Sequence, residues 1–263
     1  MTTVKTSKSW VLCPKPNAQA KLKLFCFHYA GGGAWSFRNW PDNLPSSVEV
    51  CSVELPGRGF RLTEAAFTSL DPLVQAIADA LLPRLDKPFA FFGHSMGGLV
   101  CFELVRVLRR NYNLNPTHLF VSGHRAPQLP NPDPPIHNLP EPEFLAELRE
   151  LEGTPQEVLE NVELMQLLLP TLRADFTVVE TYAYIAEPPL DFPITAFGGL
   201  QDREASYDQL NAWQEQTNAV FSLHMLPGNH FFLHSAQSLL LTLLSQKLHL
   251  LISEVDQVSE YDV

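Results

Sequence analysis

The sequence predicts an α/β protein whose mostly parallel sheet is flanked by helices on both faces. Short apolar runs of strand length alternate along the chain with longer segments of helical periodicity, which is the pattern of a parallel sheet. One stretch, at about residues 125–185, breaks this alternation and carries helical patterns only. We therefore expect a single domain over residues 1–263, with a core at about 10–124 and 186–252 and a helical insertion at about 125–185.

The core elements follow from local patterns. Leu24 to Phe27 form an apolar run, and Asp71-Pro72 is a typical helix start, with Leu73, Ile77 and Leu81 recurring every four residues behind it. The tail at residues 253–263 is acidic, and we expect it to be frayed. Strands are predicted at residues 21–29, 48–55, 89–92, 119–122, 194–197 and 220–225, and core helices at 71–84, 99–110, 207–216 and 236–248.

The insertion opens with a proline-rich stretch at residues 127–142. Helical patterns follow at residues 143–151, 157–169 and 171–180, and no convincing strand interrupts them. Because this segment lies between two predicted strands of the sheet, it occupies the place of a lid. The sequence therefore predicts a helical lid at about residues 125–185.

Composition excludes several classes of function. A net charge of −11 argues against a general nucleic-acid binder, which usually carries a basic patch, and gives no support for binding to anionic lipid. The apolar runs are too short to span a membrane, and residues 1–10 lack the apolar stretch of a signal peptide. We expect a soluble cytoplasmic protein.

The cysteines give no sign of a metal or redox site. The four cysteines contain no C-x-x-C pair, which argues against a zinc knuckle or a thioredoxin-like motif. Cys26, Cys51 and Cys101 each lie in an apolar run, so we expect buried, reduced thiols. No metal site is predicted.

The segment from Gly93 to Gly97, Gly-His-Ser-Met-Gly, matches the G-x-S-x-G motif of a nucleophile elbow. A buried strand is predicted to end at Phe92 and an apolar helix to start near Leu99, so the serine lies on a sharp strand-to-helix turn. This context predicts the α/β-hydrolase fold, with Ser95 as nucleophile. Adjacent side chains diverge on such a turn, so His94 is expected to be a packing residue rather than the base.

A serine nucleophile needs a base and a group that orients the base. In this fold the order along the chain is Ser, acid, His, at the ends of later strands. Asp202 and His230 each stand a few residues beyond a predicted strand, so we assign Asp202 as the acid and His230 as the base. The rivals for the base are His224 and His234, and those for the acid are Asp175 and Asp191; the position after the strand at 119–122 offers no carboxylate.

The tetrahedral intermediate of acyl transfer needs two hydrogen-bond donors for its oxyanion. The backbone N–H of Met96, directly after the nucleophile, is the first candidate. The second is expected in the glycine-rich loop of residues 28–33, where glycines allow the backbone to approach the substrate. We favour the N–H of Ala30, with that of Tyr29 as the alternative.

These segments together resemble the stand-alone type II thioesterases of nonribosomal peptide and polyketide assembly lines. The resemblance covers nearly the whole chain, and Pro-Thr-Leu-Arg-Ala-Asp at residues 170–175 is its most specific part, since it has no role in a generic serine hydrolase. The family's Gly-x-x-Asp acid motif fits Gly199 to Asp202. The matching segments are residues 27–33, 54–59, 93–98, 121–127, 169–175 and 228–232.

The resemblance implies an editing enzyme that hydrolyses wrong or stalled acyl groups from the phosphopantetheine arm of an acyl or peptidyl carrier protein. It implies no metal and no organic cofactor. Carrier proteins are usually acidic, as is this chain, so docking is expected to depend on local apolar contact near the lid, helped by a few arginines. A monomer is the default expectation. Tyr29 and Arg173 are candidate substrate or partner contacts; Arg58, Arg61 and Arg125 are further candidate carrier contacts.

Three alternatives stay open at this stage. A chain-releasing or medium-chain fatty acyl thioesterase would share the same catalytic residues. A carboxylesterase or lipase would act on oxygen esters, although residues 170–175 and the acidic chain count against it. A binding protein with a hydrolase fold would have no activity, and a serine-reactive phosphonate would not label its Ser95.

Overall fold

The computed structural model describes residues 9–261. Within that range the strands form one seven-stranded sheet, and eight α-helices accompany it. The strands are β1 (Val11–Leu12), β2 (Leu22–Phe27), β3 (Val48–Val53), β4 (Phe89–His94), β5 (His118–Ser122), β6 (Ile194–Gly199) and β7 (Phe221–Leu226). The helices are α1 (Leu70–Leu81), α2 (Met96–Tyr112), α3 (Glu141–Glu150), α4 (Gln156–Leu159), α5 (Val162–Glu180), α6 (Tyr207–Asn211), α7 (Phe232–Ser235) and α8 (Gln237–Tyr261).

The sheet has the order β1-β3-β2-β4-β5-β6-β7. β1 runs antiparallel to β3, and every other neighbouring pair is parallel. Because the carboxyl ends of parallel strands share one edge, the loops after β4, β6 and β7 come together there. The predicted mostly parallel α/β fold is confirmed.

The side chains of alternate residues in the central strands belong to two apolar layers, one on each face of the sheet. Phe25 and Phe91 face the layer that contains α1 and α2, whereas Cys26 and Phe92 face the layer that contains α8. Both faces of the sheet are therefore covered, which explains why these strands are continuously apolar in sequence.

The segment of residues 125–185 carries α3, α4 and α5 between β5 and β6. These helices enclose a small apolar cluster of their own, with Phe144 and Met165 among its buried members. α5 runs unbroken through Pro170, although the sequence predicted two helices that meet there. Pro170 removes one backbone hydrogen bond, but buried Leu169 and Leu172 on either side hold the helix in place.

The helix boundaries that differ from their predictions include those of α1 and α8. α1 begins at Leu70, with Ser69 as its N-cap, so it starts one residue before the predicted Asp71 and ends at Leu81 instead of residue 84. α8 continues to Tyr261, so the expectation of a frayed tail is wrong as far as that residue, and residues 262–263 lie outside the described range. Burial of Leu248, Leu251 and Ile252 against the sheet explains why the helix persists into the acidic segment.

Cys13 and Cys51 are joined in a disulfide, with 4.4 Å between their Cα atoms. The prediction of a reduced Cys51 is therefore wrong. It failed because β1 was not foreseen, and β1 places Cys13 beside β3. Cys26 and Cys101 are free and buried, as predicted, and burial raises the pKa of both thiols.

Within the described range, no helix combines the length and the apolar character needed to cross a membrane. Residues 1–8, on which the signal-peptide prediction largely rests, lie outside the described range.

Candidate active site

Ser95 occupies the turn that joins β4 to α2, with φ 53° and ψ −120°. A positive φ is rare for a non-glycine residue and marks a conformation held by its surroundings. The Ser95 N–H donates to the carbonyl oxygen of Ser122 at the end of β5, at 2.7 Å. The sequence therefore folds at this point into the strained strand-to-helix turn that the G-x-S-x-G motif predicts.

The two glycines of the motif are required by close backbone contacts. A Cβ atom on Gly93 would lie 2.1 Å from the Gly97 carbonyl oxygen. A Cβ atom on Gly97 would lie 2.3 Å from the carbonyl oxygen of Phe27. Gly97 thus lets the first turn of α2 pack directly against the end of β2, where the glycine-rich loop begins.

Asp202 and His230 lie on the loops after β6 and β7. The His230 Nδ1 atom is 3.0 Å and 3.1 Å from the two carboxylate oxygens of Asp202. The Asp202 side chain is fully buried and that of His230 is 11% exposed. Asp202 also accepts a hydrogen bond from the N–H of Glu204 at 2.8 Å, which fixes the carboxylate. A carboxylate so placed keeps the proton on Nδ1 and leaves Nε2 free to act as a base.

The loops bring His230 next to the serine turn. The rings of His94 and His230 lie 5.2 Å apart, and a Cβ atom on Gly123 would be 3.3 Å from His230 Cε1. Among residues 9–261, no hydrogen bond joins Ser95 Oγ to His230.

The rival histidines have other surroundings. His94 is fully buried, with Nδ1 2.9 Å from Ser122 Oγ, as expected of a packing residue. Burial and the neighbouring His230 and His234 hold the His94 pKa well below its ordinary value. His234 pairs with the hydroxyl of Tyr29 at 3.1 Å, and His224 stacks on Phe197 within the sheet.

The rival carboxylates are also engaged elsewhere. Asp175 forms an ion pair with Arg58, and Asp191 accepts a hydrogen bond from the side chain of Asn218 at 3.0 Å. Asp202 therefore has the contact with His230 that the rivals lack in the described structure.

The candidate oxyanion donors lie on either side of the Gly97 contact. In the described part of the chain, the N–H groups of Met96, Ala30 and Tyr29 donate to no protein acceptor. The next N–H, that of Gly31, is already occupied, since it donates to Asp175 Oδ2 at 2.7 Å.

The fold places the two candidate substrate or partner contacts, Tyr29 and Arg173, in different parts of the molecule. The Tyr29 ring packs edge-on against Phe231, 5.0 Å away, so it lies beside the loop that carries His230. Arg173 is held within the insertion, where it donates to the His137 carbonyl oxygen at 2.7 Å and lies 4.4 Å above the Phe144 ring. Arg58 and Arg61 are buried, which leaves neither guanidinium at the surface where a carrier protein would dock.

Arg58 and Asp175 form an ion pair that was not predicted from the sequence. The two form a bidentate ion pair, with both N–O distances at 2.7 Å, and neither side chain is more than 7% exposed. Arg58 lies in segment 54–59 and Asp175 in segment 169–175, both of which carry the family resemblance, but neither segment indicates a contact with the other.

The comparisons with known proteins agree on one family. A model described as a thioesterase domain matches residues 22–248. Linear gramicidin dehydrogenase LgrE of Brevibacillus parabrevis is 51% identical over 242 residues, which cover 91% of this chain and 92% of that protein. Gramicidin S biosynthesis protein GrsT of Aneurinibacillus migulanus is 46% identical over 253 residues, which cover 96% and 99% of the two chains.

A solved structure extends this likeness to three dimensions. The type II thioesterase BorB from the borrelidin biosynthetic cluster superposes with a TM-score of 0.83 at 32% identity, and the match covers 91% of this chain and 98% of BorB. This chain belongs to the thioesterase domain family, and its relatives include a type II thioesterase from the borrelidin biosynthetic cluster.

Proposed function

We propose that this chain is an editing thioesterase that hydrolyses misprimed or stalled acyl groups from the phosphopantetheine arm of carrier proteins in nonribosomal peptide or polyketide biosynthesis. The observation that carries the catalytic part is the strained turn at Ser95 beside the hydrogen-bonded pair of His230 and Asp202. The choice of substrate is supported by likeness to BorB, whose name gives it as a type II thioesterase of a biosynthetic cluster.

The chemistry proceeds in two steps. His230 Nε2 accepts the proton of Ser95 Oγ as this oxygen attacks the thioester carbonyl, and the resulting imidazolium then protonates the leaving thiolate. The acyl group remains on Ser95 as an ester. His230 next accepts a proton from water as the water attacks the ester, and the imidazolium then gives this proton to Ser95 Oγ as the acid leaves. Asp202 holds the imidazole and stabilises its charged form in both steps.

The oxyanion of each tetrahedral intermediate is stabilised by the N–H of Met96 and the N–H of Ala30. Both donors are free of protein acceptors within residues 9–261. The contact of Gly97 with the Phe27 carbonyl supports their closeness, because it packs the start of α2 against the end of β2. Donors fixed in advance stabilise the developing charge without having to reorient.

We further propose that residues 1–263 act as one domain and that the insertion at about 125–185 acts as the lid over the site. The protein works as a monomer and docks on its carrier through local contacts, since both partners are expected to be acidic. Tyr29, beside the His230 loop, is the candidate substrate contact, and Arg173 contributes from within the insertion.

The test compares one short acyl group presented on a carrier protein and on coenzyme A, with release of free thiol as the readout. Wild type and Ser95→Ala are measured side by side. Faster release from the carrier, lost in Ser95→Ala, supports the proposal. Equal or faster release from coenzyme A contradicts carrier editing and favours a general or medium-chain acyl thioesterase. Activity on oxygen esters alone would identify a carboxylesterase.

The name of one relative, LgrE, suggests a second test. A dehydrogenase that binds a nicotinamide dinucleotide usually carries a G-x-G-x-x-G loop between a strand and a helix. In this chain the glycine loop starting at Gly31 has serine at the last required position, Ser36, and the one starting at Gly57 has Leu62 there. We therefore expect no oxidation of NADH or NADPH in the presence of an acyl carrier substrate.

A further inference from the structure

Asp175 of α5 connects the insertion to the loop that carries the proposed oxyanion donor. Its Oδ2 atom accepts the N–H of Gly31 at 2.7 Å, and Gly31 directly follows Ala30. Gly31 has φ +74°, a conformation that other residues rarely adopt. A Cβ atom on Gly31 would lie 2.4 Å from Leu172 Cδ2, so α5 packs tightly on this peptide.

Arg58 completes the connection from the loop after β3. Besides its two bonds to Asp175, its Nη1 atom donates to the Gly32 carbonyl oxygen at 3.2 Å. Thr171 of α5 donates to the Gly57 carbonyl oxygen at 2.7 Å, next to Arg58 in the chain. The glycine loop, the loop after β3 and α5 are therefore joined by hydrogen bonds around one buried carboxylate.

The charges at this point explain why both residues are needed. A lone buried carboxylate one residue from an oxyanion donor would repel the negative charge that develops in the transition state. The bidentate guanidinium neutralises this carboxylate while leaving Oδ2 able to accept the Gly31 N–H. The pair thus holds the loop without placing net negative charge beside the oxyanion.

We infer that Asp175 and Arg58 are positioning residues for the oxyanion hole. Because they bind the glycine loop, the position of α5 sets the orientation of the Ala30 N–H. Neither residue touches the reacting atoms. The inference rests on the proposed use of Ser95 and of the Ala30 donor. Its consequence is that the insertion contributes to the rate of the chemical step and not only to substrate access.

The test uses Asp175→Ala and Asp175→Asn in the full chain, with Glu103→Gln as the matched control. Glu103 also forms a buried ion pair, with Arg106 at 2.7 Å, but it lies on α2 away from the glycine loop. The readouts are kcat and KM on an acyl carrier, the rate at which a phosphonate labels Ser95, and the melting temperature. The phosphonate oxygen occupies the oxyanion hole, so labelling reports on the hole without a thioester.

Asp175→Ala is expected to lower both kcat and the labelling rate about 100-fold, the effect of losing one oxyanion donor, with KM changed less than threefold. Asp175→Asn keeps an acceptor for the Gly31 N–H but loses the charge that pairs with Arg58, so its kcat and labelling rate should fall by only about threefold to tenfold. Glu103→Gln should lower the melting temperature and leave kcat and labelling unchanged.

Two outcomes overturn the inference. In the first, both Asp175 variants lower the melting temperature but label Ser95 at the wild-type rate. In the second, Glu103→Gln reduces the labelling rate as much as the Asp175 variants do. If Asp175→Ala fails to fold, the comparison of Asp175→Asn with Glu103→Gln decides. Failure of the proposed function appears differently, as wild-type protein that labels at Ser95 but releases no thiol from the carrier.

Discussion

Asp202 and His230 are held together across the loops of two neighbouring strands, with both carboxylate oxygens within 3.1 Å of one imidazole nitrogen. The carboxylate has no exposed surface, and a backbone N–H of the same loop also binds it. This burial strengthens the interaction with an imidazolium, because water does not screen it.

Replacing Asp202 by asparagine should therefore reduce kcat by about 1,000-fold to 10,000-fold, because the amide no longer favours the tautomer with the proton on Nδ1. Thiol release from an acyl carrier measures the effect, and the circular dichroism spectrum should be unchanged. Asp191→Asn is the control, since Asp191 lies away from His230 and contacts Asn218. A loss below tenfold in Asp202→Asn would show that another carboxylate orients the base.

The backbone contact at Gly97 gives a second prediction. Gly97→Ala should lower the free energy of unfolding by about 3 kcal/mol and abolish labelling of Ser95, because the new methyl group would push α2 away from Phe27. Gly98→Ala is the matched neighbour, where the nearest atom to a new Cβ is 3.3 Å away, in the His124 side chain. Urea denaturation and phosphonate labelling test both variants; normal labelling in Gly97→Ala would refute the assignment.

Buried histidines should make the protein sensitive to acid. Burial, together with the positive charge of Lys247, lowers the pKa of His118 to about 3, and burial, with Arg58 nearby, lowers that of His28 to about 4. The unfolded chain then binds more protons than the native protein below the ordinary histidine pKa. Stability is therefore full above about pH 6.5 and falls as the pH drops towards 4, by up to about 1.4 kcal/mol per pH unit for each such group.

His118→Gln isolates this effect, because His118 stacks on Phe120 inside the sheet, away from the site. Its free energy of unfolding should depend less steeply on pH than that of wild type between pH 6.5 and 4. Parallel curves for wild type and His118→Gln would contradict a neutral His118 in the native protein.

The disulfide between Cys13 and Cys51 closes a loop with a sequence separation of 38. The chain-entropy model assigns such a cross-link about 4 kcal/mol, because it restricts the unfolded state. Addition of a reductant should therefore lower the free energy of unfolding of wild type towards that of Cys13→Ala. The variant itself should be insensitive to reductant, and equal stability of wild type with and without reductant would count against the bond.

The main architecture was predictable because it depends on local patterns. The strands around Phe25 and Phe91 are apolar on both faces, and the turn at Ser95 is marked by glycines that sterics require. The order Ser, acid, His along the chain then indicated the loops that carry Asp202 and His230. These two side chains are hydrogen-bonded in the structure, which the loop positions alone could not establish.

The features that sequence reasoning missed depend on contacts between distant segments. Arg58 and Asp175 are 117 residues apart, and nothing in either segment identifies the other as its partner. β1 is two residues long, too short to give a periodic signal, so the pairing of Cys13 with Cys51 was not foreseen. The boundary at Pro170 was predicted from local propensity, which the packing of α5 overrides.

Helix α5 is continuous but contains one point of local flexibility, at Pro170. Pro170 cannot donate a hydrogen bond to the preceding turn, so α5 bends more easily there than elsewhere. The residues of α5 that contact the neighbouring loops all lie on the C-terminal side of Pro170; they are Thr171, Leu172 and Asp175. We therefore expect any bending of α5 to move the turns from Val162 to Leu169 relative to the loops, while the turns that carry Asp175 keep their contacts.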